Sequence, residues 1–183
     1  MKQLLLLLTA VSILTACNNE KKKDDKMGDD KKESKMGDNI TYPYKVEYSD
    51  FTIGDPNHSK LVLDFYKAFE ENRMDDGKVM LNDSVAVDFA DGSKFMGTAD
   101  SLISMGKHAR GSFSAYKVTV DAVMSVHSNN KKEDWVLVWN KAYTTDQKGK
   151  VDSAGEHSFW QIKNGKIAFW GELQAKLATA PTK

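Results

Sequence analysis

The side chains in this sequence that could do chemistry are few and scattered. The single cysteine is Cys17, and the four histidines, His58, His108, His127 and His157, fall in four separate stretches. No HxH, HExxH or other ligand spacing links them, so neither a metal site nor a cofactor is expected. A reactive thiol needs an electropositive pocket to lower its pKa, and Cys17 stands between an apolar leader and a charged run. His108 falls near the end of a predicted helix. There an imidazole serves either as a dipole partner at the surface or as a closing residue over a pocket mouth. Aromatic residues recur at every second position. Trp135, Leu137, Trp139 and Tyr143 share one strand face; Ser158, Trp160 and Ile162 share another, as do Ala168, Trp170 and Glu172. Rows of this kind build a core, a dimer interface or the wall of a small-molecule site. Glu172 and Asp121 are secondary carboxylate candidates, expected to be exposed.

The N-terminus explains Cys17. Met1-Lys2-Gln3 precedes LLLLLTAVSILTA, an apolar run of 13 residues at 4–16. One early charge, a short apolar segment and small residues before a cleavage point make a secretory signal, and spanning a bilayer takes roughly 20 residues. Leu14-Thr15-Ala16-Cys17 resembles the bacterial lipobox, which implies a cysteine lipidated on sulfur at the mature N-terminus. Stable anchoring needs two lipid signals, and a diacylglyceryl thioether supplies two chains. Residues 1–16 therefore read as a lipoprotein signal peptide and 17–38 as a lipidated, charged tether. Within 18–38, seven lysines and seven acids leave no aromatic or β-branched residue, the composition of disorder. Lys23-Asp24-Asp25 resembles the acidic export tags of surface-exposed Bacteroidetes lipoproteins. The expected location is thus a bacterial cell envelope, lipid-anchored at the outer membrane, on its periplasmic face or at the cell surface.

The whole chain carries 26 basic and 26 acidic residues, and no basic bias points to nucleic acid. With no cysteine beyond Cys17, the folded part is expected to rest on its core alone.

The elements follow from periodicity. Residues 39–56 read as an extended arm broken by Pro43 and Pro56. Leu61, Val62, Phe65 and Phe69 recur at helical spacing after a start at Asn57 or Ser59, and a second short helix is predicted over Asp75–Asn82. VAVDFA (85–90) and KFMG (94–97) predict a hairpin, and 98–111 a helix capped by Thr98 or Asp100. Strands follow at 114–127, 134–145, 156–163 and 166–174, the last two joined by Asn164-Gly165, the strongest hairpin signal in the chain. Helices first and long antiparallel strands after them indicate an α+β domain, with residues 57–178 as its extent and 179–183 as a tail.

"LVLDFYKAFEENRMD", "LNDSVAVDFADGSKFMGTADSLISM" and "FWQIKNGKIAFWGEL" together resemble the nuclear-transport-factor-2-like superfamily in its SnoaL-like branch, over about residues 57–176. The resemblance implies a cone-shaped, curved antiparallel sheet wrapped around N-terminal helices, with a pocket between them. Members include isomerases, dehydratases, epoxide hydrolases, polyketide cyclases, ligand binders and dimerisation modules. It implies a general base at Asp88, where desolvation in an apolar cone would raise the carboxyl pKa to suit proton transfer. A strand-end role beside the Asp91-Gly92 turn is the alternative. The ketosteroid isomerase tyrosine falls nearest Phe65, with Tyr66 adjacent, and its second acid falls nearest Ser158, which disfavours that reaction. The ligand-facing positions so implied are Phe65, Tyr66, Asp88, Trp139, Ser158, Trp160 and Trp170, with His108 as a second catalytic candidate.

Three functions remain open at this level. One is non-catalytic binding of a small apolar or aromatic ligand. The others are acid–base catalysis (isomerase, dehydratase or hydrolase) on Asp88, and an interaction module that forms a homodimer or docks an envelope partner. The lipid anchor on Cys17 makes the membrane a partner under all three.

Overall fold

The computed structural model describes residues 41–177. The expectations for the signal peptide, Cys17, the tether and the tail fall outside the described residues. The order is β1 (Phe51–Ile53), α1 (Pro56–Glu70), α2 (Met74–Gly77), a 3₁₀ turn (Lys78–Met80), β2 (Leu81–Asp88), β3 (Lys94–Thr98), α3 (Ala99–Gly111), β4 (Phe113–Ser128), β5 (Glu133–Asp146), β6 (Val151–Lys163) and β7 (Lys166–Lys176). One seven-stranded sheet runs β1-β4-β5-β6-β7-β2-β3.

Local chemistry sets the helix ends. The Asp55 side chain accepts a hydrogen bond from the backbone N–H of Asn57 at 2.8 Å and Pro56 occupies the first turn, so α1 starts a residue or more before the expected point. Thr98 caps α3 by accepting from the backbone N–H of Ser101. The second helix is shorter than predicted: the chain leaves helical geometry at Leu81, which is buried as the first residue of β2. The arm is mostly irregular, but Phe51–Ile53 pairs with Val126–Ser128 at one sheet edge. Asn164 and Gly165 both have positive φ, 55° and 71°, the backbone of the tight β6–β7 turn.

The sheet is antiparallel except for one pair: β2 runs parallel to β7, with Val87 opposite Trp170. No short connection joins those two strands, so no tight turn imposes an antiparallel direction on them. β4 carries bulges at Phe113/Ala115 and Val120/Ala122, which bend a strand of 16 residues. A further irregularity at Gln161/Ile162 sets Ile162 opposite Ile167 and Gln161 opposite Phe169. Ile167 and Trp170 thus both turn inward although an even spacing does not separate them.

The helices cover one face of the sheet. Val62 and Phe65 from α1 and Leu102 and Ile103 from α3 pack on Val85, Val87, Val136, Val138, Trp160, Ile162, Ile167 and Trp170. Arg110 ties the two helices together. Its guanidinium donates to the backbone carbonyls of Phe69 and Glu70 at the end of α1 and to that of Phe113, satisfying carbonyls that a helix C-terminus leaves free.

Candidate functional site

Between the helices and the inner sheet face lies a cavity of about 800 Å³, within the size range of small-molecule sites. Strand register sets its wall. Inward pairs across β6 and β7 run Trp160–Trp170, Ser158–Glu172, Glu156–Gln174 and Ala154–Lys176 from floor to mouth. Across β5 and β6, Val138 lies opposite Ser158, Asn140 opposite Glu156 and Ala142 opposite Ala154. α1 contributes Phe65, Tyr66 and Phe69, and α3 contributes Leu102, Met105 and Ala109.

The floor is aromatic. Trp160 and Trp170 stack at 4.7 Å between centroids, and Phe65 stands 6.0 Å from one and 5.7 Å from the other. Above it sits a polar network. Ser158 Oγ accepts from Trp160 Nε1 at 2.7 Å and shares a hydrogen bond with the Tyr66 hydroxyl at 2.9 Å. Tyr66 also donates to Asn140 Oδ1 at 3.3 Å, and Asn140 Nδ2 donates to Glu156 Oε2 at 2.6 Å. Gln174 Nε2 donates to the other oxygen of Glu156 at 3.1 Å, and Trp170 Nε1 donates to Glu172 Oε1 at 2.8 Å.

This surrounding perturbs the titrating groups in one direction. Burial raises the Glu172 carboxyl above its ordinary range and the Glu156 and Asp91 charges push it further, while the Trp170 hydrogen bond opposes them. Burial likewise holds the Tyr66 and Tyr116 hydroxyls protonated well above the usual phenol range, despite the Ser158 bond to Tyr66. Network and floor together can hold an apolar or aromatic body and meet its polar end with carboxylate and hydroxyl groups.

The structure brings together Phe65, Tyr66, Ser158, Trp160 and Trp170 of the expected set. It separates the other three. Asp88 does not line the cavity: Val85 and Val87 take the inward positions of β2, and Asp88 turns the other way to pair with Lys94 at 3.0 Å. That corrects the expected general base at this position. His108 is exposed and does not line the cavity. Trp139 lies on the opposite sheet face, where it stacks on His157 at 4.7 Å. The inward positions of β5 carry the small side chains Val136, Val138 and Ala142, because Trp160 and Trp170 already fill the interior beside them. Asp121 pairs with Lys141 at the surface.

Four residues of the network were not singled out as ligand-facing: Glu156, Glu172, Asn140 and Gln174. Alternation carries the signal for the first two, since Glu156 shares parity with Ser158 and Trp160, and Glu172 with Trp170. Among the described residues no cluster of three His, Cys, Asp or Glu side chains could hold a metal ion, and no helix is long and apolar enough to cross a membrane.

No protein-family model matches the sequence, and no curated protein matches it. Solved structures do match the fold. A LEH-like epoxide hydrolase of M. tuberculosis superposes with a TM-score of 0.56 at 12% identity, over 66% of this chain and 84% of that one. A candidate SnoaL-like polyketide cyclase from Jannaschia gives 0.54 at 10% identity, over 72% and 90%. An NTF2-like protein of unknown function from Burkholderia pseudomallei gives 0.52 at 17% identity, over 63% and 88%.

Proposed function

We propose, from the nuclear-transport-factor-2-like fold that this chain has, that its cavity binds a small apolar or aromatic ligand without turning it over. The observation that carries this reading is the floor of Trp160, Trp170 and Phe65 beneath a ring of polar groups, in a cavity of about 800 Å³. Apolar area and ring stacking supply affinity, and a few placed polar groups orient the guest. The placement of Asp88 outside the cavity weighs against acid–base turnover on that residue. The lipobox-like stretch ending at Cys17 supports a lipid anchor, which would hold this binding domain at a bacterial envelope membrane. Native mass spectrometry of the full chain purified from its own membrane tests both parts. A diacylglyceryl mass on Cys17 and a co-purifying small molecule are expected. An unmodified N-terminus would overturn the anchor, and conversion of the co-purified compound on incubation would overturn binding without turnover.

A second reading, a homodimer, rests on the opposite sheet face. There Trp139 and Leu173 remain 36% and 62% exposed in one row that the register runs through His157, and Met124, 39% exposed, stands diagonal to Trp139 in the next row, opposite Leu137. Light scattering of the full chain in micelles of known mass checks it; one chain per micelle at all concentrations would overturn it.

A further inference from the structure

Glu156 and Glu172 of the cavity differ from the eight carboxylates of the domain that carry an ion pair with lysine or arginine. Asp64, Glu70, Glu71, Asp75, Asp76, Asp88, Asp100 and Asp121 each pair with a lysine or arginine. Glu156 and Glu172 form no such pair among the described residues; their bonds come from the neutral donors Asn140, Gln174 and Trp170. The register puts these two side chains on adjacent strands in diagonal positions of one face, Glu172 opposite Ser158 and Glu156 opposite Gln174. Neighbours of that kind are roughly 7–8 Å apart. The lining holds three carboxylates, Asp152, Glu156 and Glu172, against a single cation, Lys176. Lys176 is exposed at the mouth, about 13 Å along the strand from Glu172; it stands diagonal to Glu156 but forms no ion pair with it among the described residues. Two partly buried carboxylates over a stacked tryptophan pair form a site with negative charge and aromatic faces but without its own counter-ion.

We propose that the ligand of this cavity is an organic cation, an amine carried on an aromatic or apolar body, whose nitrogen is held by Glu156 and Glu172 and whose body lies against Trp160 and Trp170. This rests on the binding reading above and adds the chemical class of the guest. The ammonium supplies the charge that the fold leaves out, at the level of the cavity where the neutral donors leave Glu172 Oε2 free. An anionic guest would meet like charge from both glutamates.

The pH dependence separates this from a neutral guest that accepts a hydrogen bond from a protonated Glu172. The groups facing Glu172 are Glu156 from β6, Asp91 from the β2–β3 turn, Tyr66 from α1 and Tyr116 from β4, with Asp152 and Lys176 at the mouth. α3 presents only Leu102, Met105, Gly106 and Ala109 to the cavity. A cation selects the ionised carboxylate, so its affinity rises with pH through the titration of Glu172. A neutral acceptor selects the protonated form, and its affinity falls.

The test is calorimetric titration of the full chain in micelles, with empty micelles as blank, using tryptamine, tryptophol and indole-3-propionate, which share one indole body. Tryptamine is expected to bind at least about tenfold tighter than tryptophol, with the propionate weakest. E156Q and E172Q should each weaken tryptamine about tenfold and tryptophol by clearly less. Equal affinity for tryptamine and tryptophol, or tryptamine binding unmoved by both substitutions, overturns the cationic assignment and leaves the cavity reading standing. Absence of heat from all three at millimolar concentration overturns the cavity reading itself. Should either variant lose its circular dichroism signal, the wild-type profile decides: tryptamine affinity that falls between pH 5 and 8 overturns the proposal.

Discussion

Trp160 and Trp170 lie face to face across β6 and β7, their planes within 19° of parallel. The same pair is the centre of the core and the floor of the cavity, since Phe65 packs on both from the helix side while their far edges border open space. In this fold the interior is incompletely filled by design of the register. The large aromatic residues occupy the deep positions of β6 and β7, and the shallower inward positions carry Ser158 and Ala154 among the polar Glu156, Glu172 and Gln174, beside Ala142 of β5.

Removing Trp160 should therefore damage stability and binding together. Its ring is 3% exposed and its indole N–H is bonded to Ser158. Trp160→Ala is expected to cost about 3–5 kcal/mol, the range for large-to-small changes in a packed core. Urea denaturation of the full chain, followed by circular dichroism, checks it.

Asp88→Asn should do almost nothing. The carboxylate is paired with Lys94 at an exposed hairpin, and such pairs contribute about 0–1 kcal/mol. Tryptamine affinity should be unchanged in the same variant. A loss of more than about tenfold would show that Asp88 acts on the cavity after all.

Arg110 has more influence than its place at the end of α3 suggests. One planar guanidinium reaches carbonyls of Phe69, Glu70 and Phe113, and hydrogen bonds from charged donors contribute about 1.5–3 kcal/mol. Arg110→Ala should lower stability by about 2–3 kcal/mol. Arg110→Lys should recover only part of it, because an ammonium cannot present the same fork. Thermal unfolding of the three chains distinguishes these outcomes.

Much of the fold was legible because period-two and helical patterns are long in this sequence. The hairpin at Asn164-Gly165, the cap at Thr98 and the shared strand face of Ser158 and Trp160 were all readable from residue type and spacing. What alternation cannot tell is which face of a strand meets the helices. β5 offers Trp135, Leu137 and Trp139 on one side and Val136, Val138 and Ala142 on the other, and apolar content alone favours the aromatic row as the inner one. The structure turns the smaller row inward because the neighbouring strands bring two tryptophans to the same space, and it leaves Trp135 to pack with Tyr48, Phe159 and Phe169 outside. Asp88 escaped for a related reason, since its side depends on Val85 and Val87 being drawn into the core. Glu156 shares parity with Ser158 and Trp160, but it lay at the expected first residue of a strand that in fact starts at Val151, and alternation weighs least at a strand end.

Glu172 offers the sharpest pH signature. Burial first, and the Glu156 and Asp91 charges after it, raise its folded pKa above the ordinary value of 4.5. A carboxyl of this kind binds its proton more tightly in the folded chain than in the unfolded one. Its contribution to stability is therefore full below about pH 4.5 and declines as pH rises through the folded pKa, after which it stays at its lower value. Glu172→Gln removes the titration while keeping the shape and an oxygen that can accept from Trp170. The variant should match the wild type near pH 4 and become the more stable of the two as pH increases toward 8. Urea midpoints measured at unit pH steps check the sign. A wild type that gains stability relative to the variant with rising pH would mean that Glu172 is better stabilised as an anion by the empty folded chain than by water, and the raised pKa would have to be abandoned.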